Sequence, residues 1–193
     1  MKIGVFAELF YPYMLGGVEQ RCYEIAKRLV SLGDEVTVFS TSLAGIDSEE
    51  DLLNDKLKII RTGLIRNPIN YRRRFSFLTF APALLKYIDV LKSFDVLDFN
   101  QFCGLPGELL TRLSRVPHIL TIHDIPRLRI ARSDLLLACK MMACLHDDGC
   151  IVAVSYAVRD KLVRYFKVDP GRIVVVPNGV DLHTITRVSK KAS

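Results

Sequence analysis

The hydrophobic and polar positions of the chain form blocks that predict a strand, a helix and a second strand at its start. Residues 3–7 and 36–39 are predominantly apolar runs. Between them, apolar residues recur at the spacing of one helix face: Val18, Cys22, Ile25, Ala26, Leu29 and Leu32. Gly33 is a helix stop signal. Because the strands carry no polar face, we expect them in a parallel sheet covered by helices.

The same alternation continues along the chain. Apolar runs predict strands at residues 57–60, near the sheet edge, and at 95–99, 118–122, 150–154 and 173–176. Helical patterns cover residues 75–91, 107–113, 127–146 and the segment after Ser155, which is an N-cap residue. The acidic stretch 41–55 predicts a solvated loop with room for a short helix. The whole pattern predicts one doubly wound α/β domain, with a mainly parallel sheet of about seven strands and helices on both faces.

The loop at residues 8–17 carries the first candidate site. It leaves the first strand at the C-terminal edge of the sheet, where ligands bind in such folds. Its last residues, Gly16 and Gly17, lack the Cβ atoms that would hold a phosphate away from the N–H groups of the helix N-terminus. A flexible turn ahead of a helix is the alternative interpretation.

Two familiar nucleotide-binding patterns are missing from the sequence. A dinucleotide fingerprint needs a third glycine three residues after Gly17, and Gln20 stands there. No Gly-Lys-Ser/Thr phosphate loop is present either. The sequence therefore argues against an NAD-dependent dehydrogenase and against an NTPase.

His123 directly follows the strand predicted at residues 118–122. Since parallel strands end at one edge of their sheet, His123 is expected on the same rim as Gly16 and Gly17. A histidine at a ligand-facing edge is a candidate for catalysis or binding, with a purely structural role as the alternative.

The composition is that of one soluble domain. Half of the 193 residues are hydrophobic, which suffices for a full core, and no apolar stretch has the length of a membrane span. Met1 leads directly into a strand, so we expect no signal peptide and a cytoplasmic location. The five cysteines form no CxxC pair, which argues against a zinc site or a disulfide scaffold.

The positive charge is concentrated in one segment. Residues 56–88 contain eight of the 27 cationic residues and none of the 21 acidic ones. Within it, Arg72, Arg73 and Arg74 precede an apolar stretch containing Phe75 and Phe77. This pattern fits a phosphate group or an anionic bilayer surface. A solvated helix start beside a core helix is the alternative.

Several segments, in their order and spacing, resemble the N-terminal half of a family 4 glycosyltransferase of the GT-B fold. They are Tyr11-Pro12 through Gly16-Gly17-Val18-Glu19, the helix end and strand at 32–38, Thr121-Ile122-His123-Asp124, the strand at 151–155 and the segment 172–181, which ends in Pro-Asn-Gly-Val-Asp. Together they span residues 2–181, nearly the whole chain.

The resemblance implies retaining transfer of a sugar from a nucleotide-diphosphate donor, without a metal or a cofactor. Gly16 and Gly17 would approach the donor diphosphate and sugar, and His123 would lie at the reaction centre. The N-terminal domain usually binds the acceptor in this family. Tyr11 and the arginines at 72–74 therefore become candidate contacts for a glycan or lipid-linked acceptor. We expect no nucleic-acid partner, and a cytoplasmic location or a peripheral one at the inner membrane face.

The same resemblance sets the expected domain limits. Residues 1–181 would form the acceptor-side Rossmann-like domain, and residues 182–193 an interdomain linker or tail. In this family most nucleotide contacts come from a second, C-terminal domain. We therefore expect little turnover from this chain without that domain, since a one-walled cleft neither excludes water nor orients both reactants.

Two other functions stay open from the sequence. One is a non-catalytic module that binds an anionic lipid or glycan through residues 56–86. The other is half of a GT-B sugar-nucleotide epimerase, which would use acidic and histidine side chains for proton abstraction. The Gly-Gly-Val-Glu loop and the Pro-Asn-Gly-Val-Asp segment favour the transferase over the epimerase.

Overall fold

Eight strands form one sheet in the computed structural model, which describes residues 1–14, 16–66, 80, 82–100, 110, 113–125, 149–180 and 182. The strands are β1 Lys2–Phe6, β2 Glu35–Leu43, β3 Glu49–Leu52, β4 Leu57–Arg66, β5 Val96–Asn100, β6 His118–Ile122, β7 Cys150–Ala153 and β8 Ile173–Val175. Their order across the sheet is β3-β4-β2-β1-β5-β6-β7-β8. Each pairing is parallel except that of β3 with β4. The mainly parallel α/β fold is thus confirmed.

Three α-helices lie wholly within the described ranges. They are α1 Gly17–Ser31, the single turn α2 Ile88–Leu91 and α3 Tyr156–Phe166. Short 3₁₀ turns cover Leu85–Tyr87 and Pro170–Arg172. The predicted helices at 107–113 and 127–146 fall largely or wholly outside the described residues. No helix in the described ranges is long and apolar enough to cross a bilayer.

The two faces of the sheet bury separate apolar clusters. On one face, α1 contributes Cys22 and Ala26, which pack with Val5 and Val38. On the other face, α3 contributes Val158 and Leu162 to a cluster in which Phe6 also stacks on Phe99, with centroids 4.3 Å apart. Helices therefore cover both faces, as the apolar strands predict.

Helix α1 follows the predicted period but ends one residue earlier than the apolar pattern. Leu32 was expected on the buried face, whereas it is the C-cap residue and 79% exposed. The chain then turns at Gly33, whose φ of +98° suits glycine. The Asp34 N–H donates to the carbonyl of Leu29, which closes the helix end.

The acidic stretch 41–55 is not the loop that its composition predicts. Strand β2 extends to Leu43, and the edge strand β3 pairs antiparallel with β4. Charge compensates for the low strand propensity of β3, because Glu49 lies 2.9 Å from the Lys58 ammonium and Glu50 lies 2.8 Å from the Arg61 guanidinium. These pairings raise the strand number from about seven to eight.

Two of the five cysteines lie in the described ranges, and they differ in burial. Cys22 is buried beneath α1, and burial raises the pKa of its thiol well above the ordinary value. Cys150, by contrast, is exposed at the start of β7. The other three cysteines lie outside the described residues.

Candidate functional site

The C-terminal edge of the sheet brings together the two candidate features of the sequence. Strand β5 lies between β1 and β6, and all three run parallel. The loop that ends in Gly16 and Gly17 leaves β1 at this edge, and His123 is the first residue after β6. The glycines and the histidine therefore lie on one rim, on either side of the end of β5.

The end of β5 carries two polar side chains on the face covered by α1. Asp98 pairs in register with Val5, which belongs to the cluster beneath α1. Asn100 lies two residues later and pairs with Thr121 of β6. Because residues two apart share a face of a strand, all these side chains meet on one side of the sheet.

A chain of hydrogen bonds connects these side chains to His123. The Thr121 hydroxyl donates to Asp98 Oδ1 at 2.8 Å, and Asn100 Nδ2 donates to Asp98 Oδ2 at 3.2 Å. Asn100 Oδ1 lies 2.9 Å from His123 Nε2. The Asp98 carboxylate is thus linked to the His123 imidazole through the Asn100 amide.

Burial sets the ionisation of this cluster. Burial, together with the smaller effect of the positive charge of Arg21, lowers the pKa of His123 to about 4. Burial raises the pKa of Asp98 above its usual value, an effect opposed by the hydrogen bonds from Thr121 and Asn100 and by the charge of Arg21. His123 is therefore a neutral imidazole at pH 7.

The charge of Arg21 on helix α1 also acts on His123. This residue lies in the second turn of α1, one turn beyond Gly17, and its charge acts on both His123 and Asp98. The start of α1 and the imidazole after β6 thus share one electrostatic environment, although β5 separates their strands.

The two glycines leave room in front of the helix. Gly16 is the N-cap of α1, with φ −162° and ψ −177°, an extended conformation open to any residue, and no side chain caps the helix there. A Cβ added to Gly17 would meet no atom within 4 Å. The conformation of Gly16 therefore does not require a glycine, and open space lies beside Gly17 at the helix N-terminus.

Tyr11 is held by both its ring and its backbone. Its ring stacks on Tyr23 of α1, with centroids 5.3 Å apart and planes at 15°. Its carbonyl oxygen accepts a hydrogen bond from the Arg61 guanidinium at 2.8 Å. These contacts fix the path of the loop that leads to Gly16.

The basic segment is partly neutralised within the fold. Of its members in the described ranges, Lys58 and Arg61 pair with Glu49 and Glu50 of the neighbouring edge strand. The candidate acceptor residues Arg72, Arg73 and Arg74 lie outside the described residues. Among the described residues, no three His, Cys, Asp or Glu side chains come together as a metal-binding group.

Among the described residues of this rim, Asp98, Asn100 and Arg21 belong to no motif that the sequence offers. The available signal was the alternation in Val96-Leu97-Asp98-Phe99-Asn100, where polar residues occupy every second position of a strand in the middle of the sheet. A carboxylate in such a strand needs hydrogen-bond donors, which the neighbouring strand supplies.

Comparison with known proteins agrees with the fold and points to one family. A model of Glycosyltransferase Family 4 matches residues 15–184. The α-maltose-1-phosphate synthase of Mycolicibacterium smegmatis is 33% identical over an alignment of 87 residues that covers 42% of this chain and 22% of that protein.

Two solved structures show the likeness in three dimensions. The sucrose-phosphate synthase of Thermosynechococcus elongatus superposes with a TM-score of 0.74 at 16% identity, over 98% of this chain and 52% of that one. HepE of Anabaena, in complex with UDP, gives a TM-score of 0.64 at 15% identity, over 100% of this chain and 50% of that one. The chain therefore spans about half of each of these structures, and a smaller share of the curated relative.

Proposed function

Because the chain belongs to glycosyltransferase family 4, we propose that it is the acceptor-side domain of a retaining, metal-independent hexosyltransferase of the GT-B type. Its donor would be a nucleotide-diphosphate sugar, and its acceptor a glycan or a lipid-linked molecule. The observation that carries this proposal is the shared rim, where open space beside Gly17 and the neutral imidazole of His123 flank the end of β5.

The donor class draws support from a structural neighbour. HepE has been solved with UDP and with UDP-glucose. In this chain the helix N-terminus after Gly16 supplies what a diphosphate needs, namely backbone N–H groups and the positive end of the helix dipole. The missing Cβ of Gly17 allows close approach of the phosphate.

His123 would act at the reacting sugar as a neutral group. A histidine with a pKa of about 4 carries no charge at pH 7, so it offers hydrogen bonding and no full positive charge. Such a preorganised dipole in a water-poor site can stabilise charge that develops during transfer. Arg21, from the second turn of α1, is the nearby permanent cation.

Transfer would need a second lobe. The chain covers about half of each solved neighbour, and one lobe alone does not exclude water from a reactive sugar. We therefore place residues 1–181 on the acceptor side and expect little turnover from the 193-residue chain alone. Measurable sugar transfer by the isolated chain would contradict this part of the proposal.

The decisive experiment is an assay of the full-length protein against a panel of nucleotide sugars. We expect one or more donors to support transfer, and His123→Ala and Gly16→Val each to lower the rate by about 10²-fold or more. Tyr165→Ala, a change of an exposed residue on α3, is the matched control and should keep the rate. Normal rates in both site variants would refute the proposed site.

The anionic-lipid module is the alternative that a second assay addresses. With Lys58 and Arg61 paired to carboxylates, this alternative depends mainly on Arg72, Arg73 and Arg74. Co-sedimentation with anionic vesicles that is lost on changing all three to Ala would support it. The same assay tests the peripheral membrane location that we propose for the transferase.

A further inference from the structure

The hydrogen bonds that the Asp98 carboxylate accepts determine the orientation of the Asn100 amide. Asn100 Nδ2 lies 3.2 Å from Asp98 Oδ2, and an amide nitrogen only donates, so this carboxylate oxygen accepts the hydrogen bond. The Thr121 hydroxyl occupies the other carboxylate oxygen. With one donor on each oxygen, the carboxylate is held in place, and so is the orientation of the Asn100 amide.

The orientation of Asn100 determines what His123 meets. Turning Nδ2 toward Asp98 turns Oδ1 toward the imidazole, 2.9 Å from Nε2. An amide oxygen also only accepts, so the proton of this hydrogen bond must belong to the histidine. A neutral imidazole carries one N–H, which places it on Nε2 and makes Nδ1 the accepting nitrogen.

We propose that Asp98 and Asn100 are positioning residues that hold His123 in the Nε2–H tautomer with its ring plane fixed toward the rim. Their effect on sugar transfer rests on the proposed function, whereas the tautomer itself does not. Neither residue needs to touch the substrate, because both act through the imidazole. A histidine held in one tautomer has the same donor nitrogen and the same acceptor nitrogen in every molecule.

A merely structural role would predict something different. If Asp98 served only to satisfy the hydroxyl of Thr121 and the amide of Asn100, its removal would change stability and leave the protonation site of His123 unaffected. The tautomer is therefore the readout that separates the two roles. It is directly measurable from the ¹⁵N chemical shifts of the imidazole ring.

The first experiment is ¹⁵N NMR of the histidine-labelled 193-residue chain at pH 7. The sequence has four histidines, and His123→Gln identifies the signals of interest. We expect a protonated Nε2 and an unprotonated Nδ1 in the wild type. A protonated Nδ1 would overturn the proposal. Since this measurement needs no change at Asp98, it decides the point even if a variant fails to fold.

The second experiment changes the group that sets the orientation. In Asp98→Asn, the new amide can donate to Asn100 Oδ1, so that Asn100 turns its Nδ2 toward the imidazole. We expect the major tautomer to change to Nδ1–H. Thr121→Val is the control, because it removes one hydrogen bond from Asp98 and keeps the one from Asn100. An unchanged tautomer in folded Asp98→Asn would refute the mechanism.

The kinetic arm uses the full-length protein with its donor. We expect Asp98→Asn to lower kcat by about 10²-fold with KM changed by less than about 2-fold, as for a histidine held in the wrong tautomer. If Asp98→Asn changes the tautomer but the full-length protein has no transferase activity, the positioning role stands and the proposed function is wrong. If the full-length protein is active and Asp98→Asn changes neither the tautomer nor kcat, the proposed function stands and the positioning role is wrong.

Discussion

The guanidinium of Arg61 donates a hydrogen bond to the carbonyl oxygen of Tyr11 at 2.8 Å, which joins β4 to the loop between β1 and α1. The same side chain, 2% exposed, donates to the carbonyl of Asp47 at 2.9 Å and pairs with Glu50 at 2.8 Å. One buried cation thus connects the loop before Gly16, the turn after β2 and the edge strand. It thereby fixes the backbone of the loop that leads to Gly16.

Arg61→Met should therefore lower the free energy of unfolding by about 2–4 kcal/mol, because it leaves two carbonyls and a carboxylate without their charged donor. Urea denaturation measures the change. Lys58→Met is the matched control: its pair with Glu49 is exposed, so its removal should cost less than about 1 kcal/mol. Equal losses in the two variants would mean that burial adds nothing to the Arg61 contacts.

Gly17→Ala should separate folding from binding. Its Cβ would extend into open space, and alanine favours the helix, so stability should stay or rise by up to about 1 kcal/mol. Affinity of the full-length protein for its nucleotide sugar should nevertheless fall by about 10-fold, because the Cβ takes the space of the phosphate. Titration calorimetry measures the affinity.

Gly33→Ala gives the opposite result and serves as the control. At φ +98° alanine is strained, so the variant should lose about 1 kcal/mol or more of stability. This residue is at the far end of α1, so affinity for the nucleotide sugar should stay unchanged. Unchanged affinity in Gly17→Ala as well would remove the glycine loop from the proposed donor site.

The periodicity of the sequence predicts those helices and strands that are determined by their own residues alone. The 3.6-residue spacing of α1 and the apolar runs of β1 and β2 are local features, and the structure shows all three. Strand β3 is different, because its charged residues become a strand only through pairing with Lys58 and Arg61 of β4. No window of sequence within β3 contains that information.

The same distinction applies to the rim. His123 and Gly16 are predictable as positions, since each follows a strand that ends at a known edge. The link from Asp98 through Asn100 to His123 depends on the register between β5 and β6. Register is a relation between two distant segments, so the pattern of either one alone does not reveal it.

Ser155→Ala should destabilise α3 by about 1 kcal/mol, because the Ser155 hydroxyl accepts a hydrogen bond from the Val158 N–H at 3.2 Å. Ser155→Asp restores an acceptor and adds a favourable charge at the helix N-terminus, so it should recover most of the loss. Thermal unfolding of the three proteins tests this order. An Asp variant no more stable than the Ala variant would argue that the cap contributes little.

The stability of the fold should depend on pH through His123. Its folded pKa of about 4 lies below the ordinary value of 6.5, so between these pH values the unfolded chain binds a proton that the folded chain does not. The contribution of the neutral imidazole is therefore complete above pH 6.5 and is lost as the pH falls through about 4. The raised pKa of Asp98 acts in the opposite direction, because it favours the folded state at lower pH.

The difference in the free energy of unfolding between wild type and His123→Gln separates the contribution of His123 from that of Asp98. When the pH is lowered from 7 to 4, the free energy of unfolding of the wild type should fall by on the order of 2–3 kcal/mol more than that of the variant. The reason is that glutamine keeps a polar side chain and does not titrate. Urea denaturation at half-unit intervals of pH measures both curves. Parallel curves would show that His123 is as accessible to protons in the folded state as in the unfolded one, which contradicts its burial against Asn100.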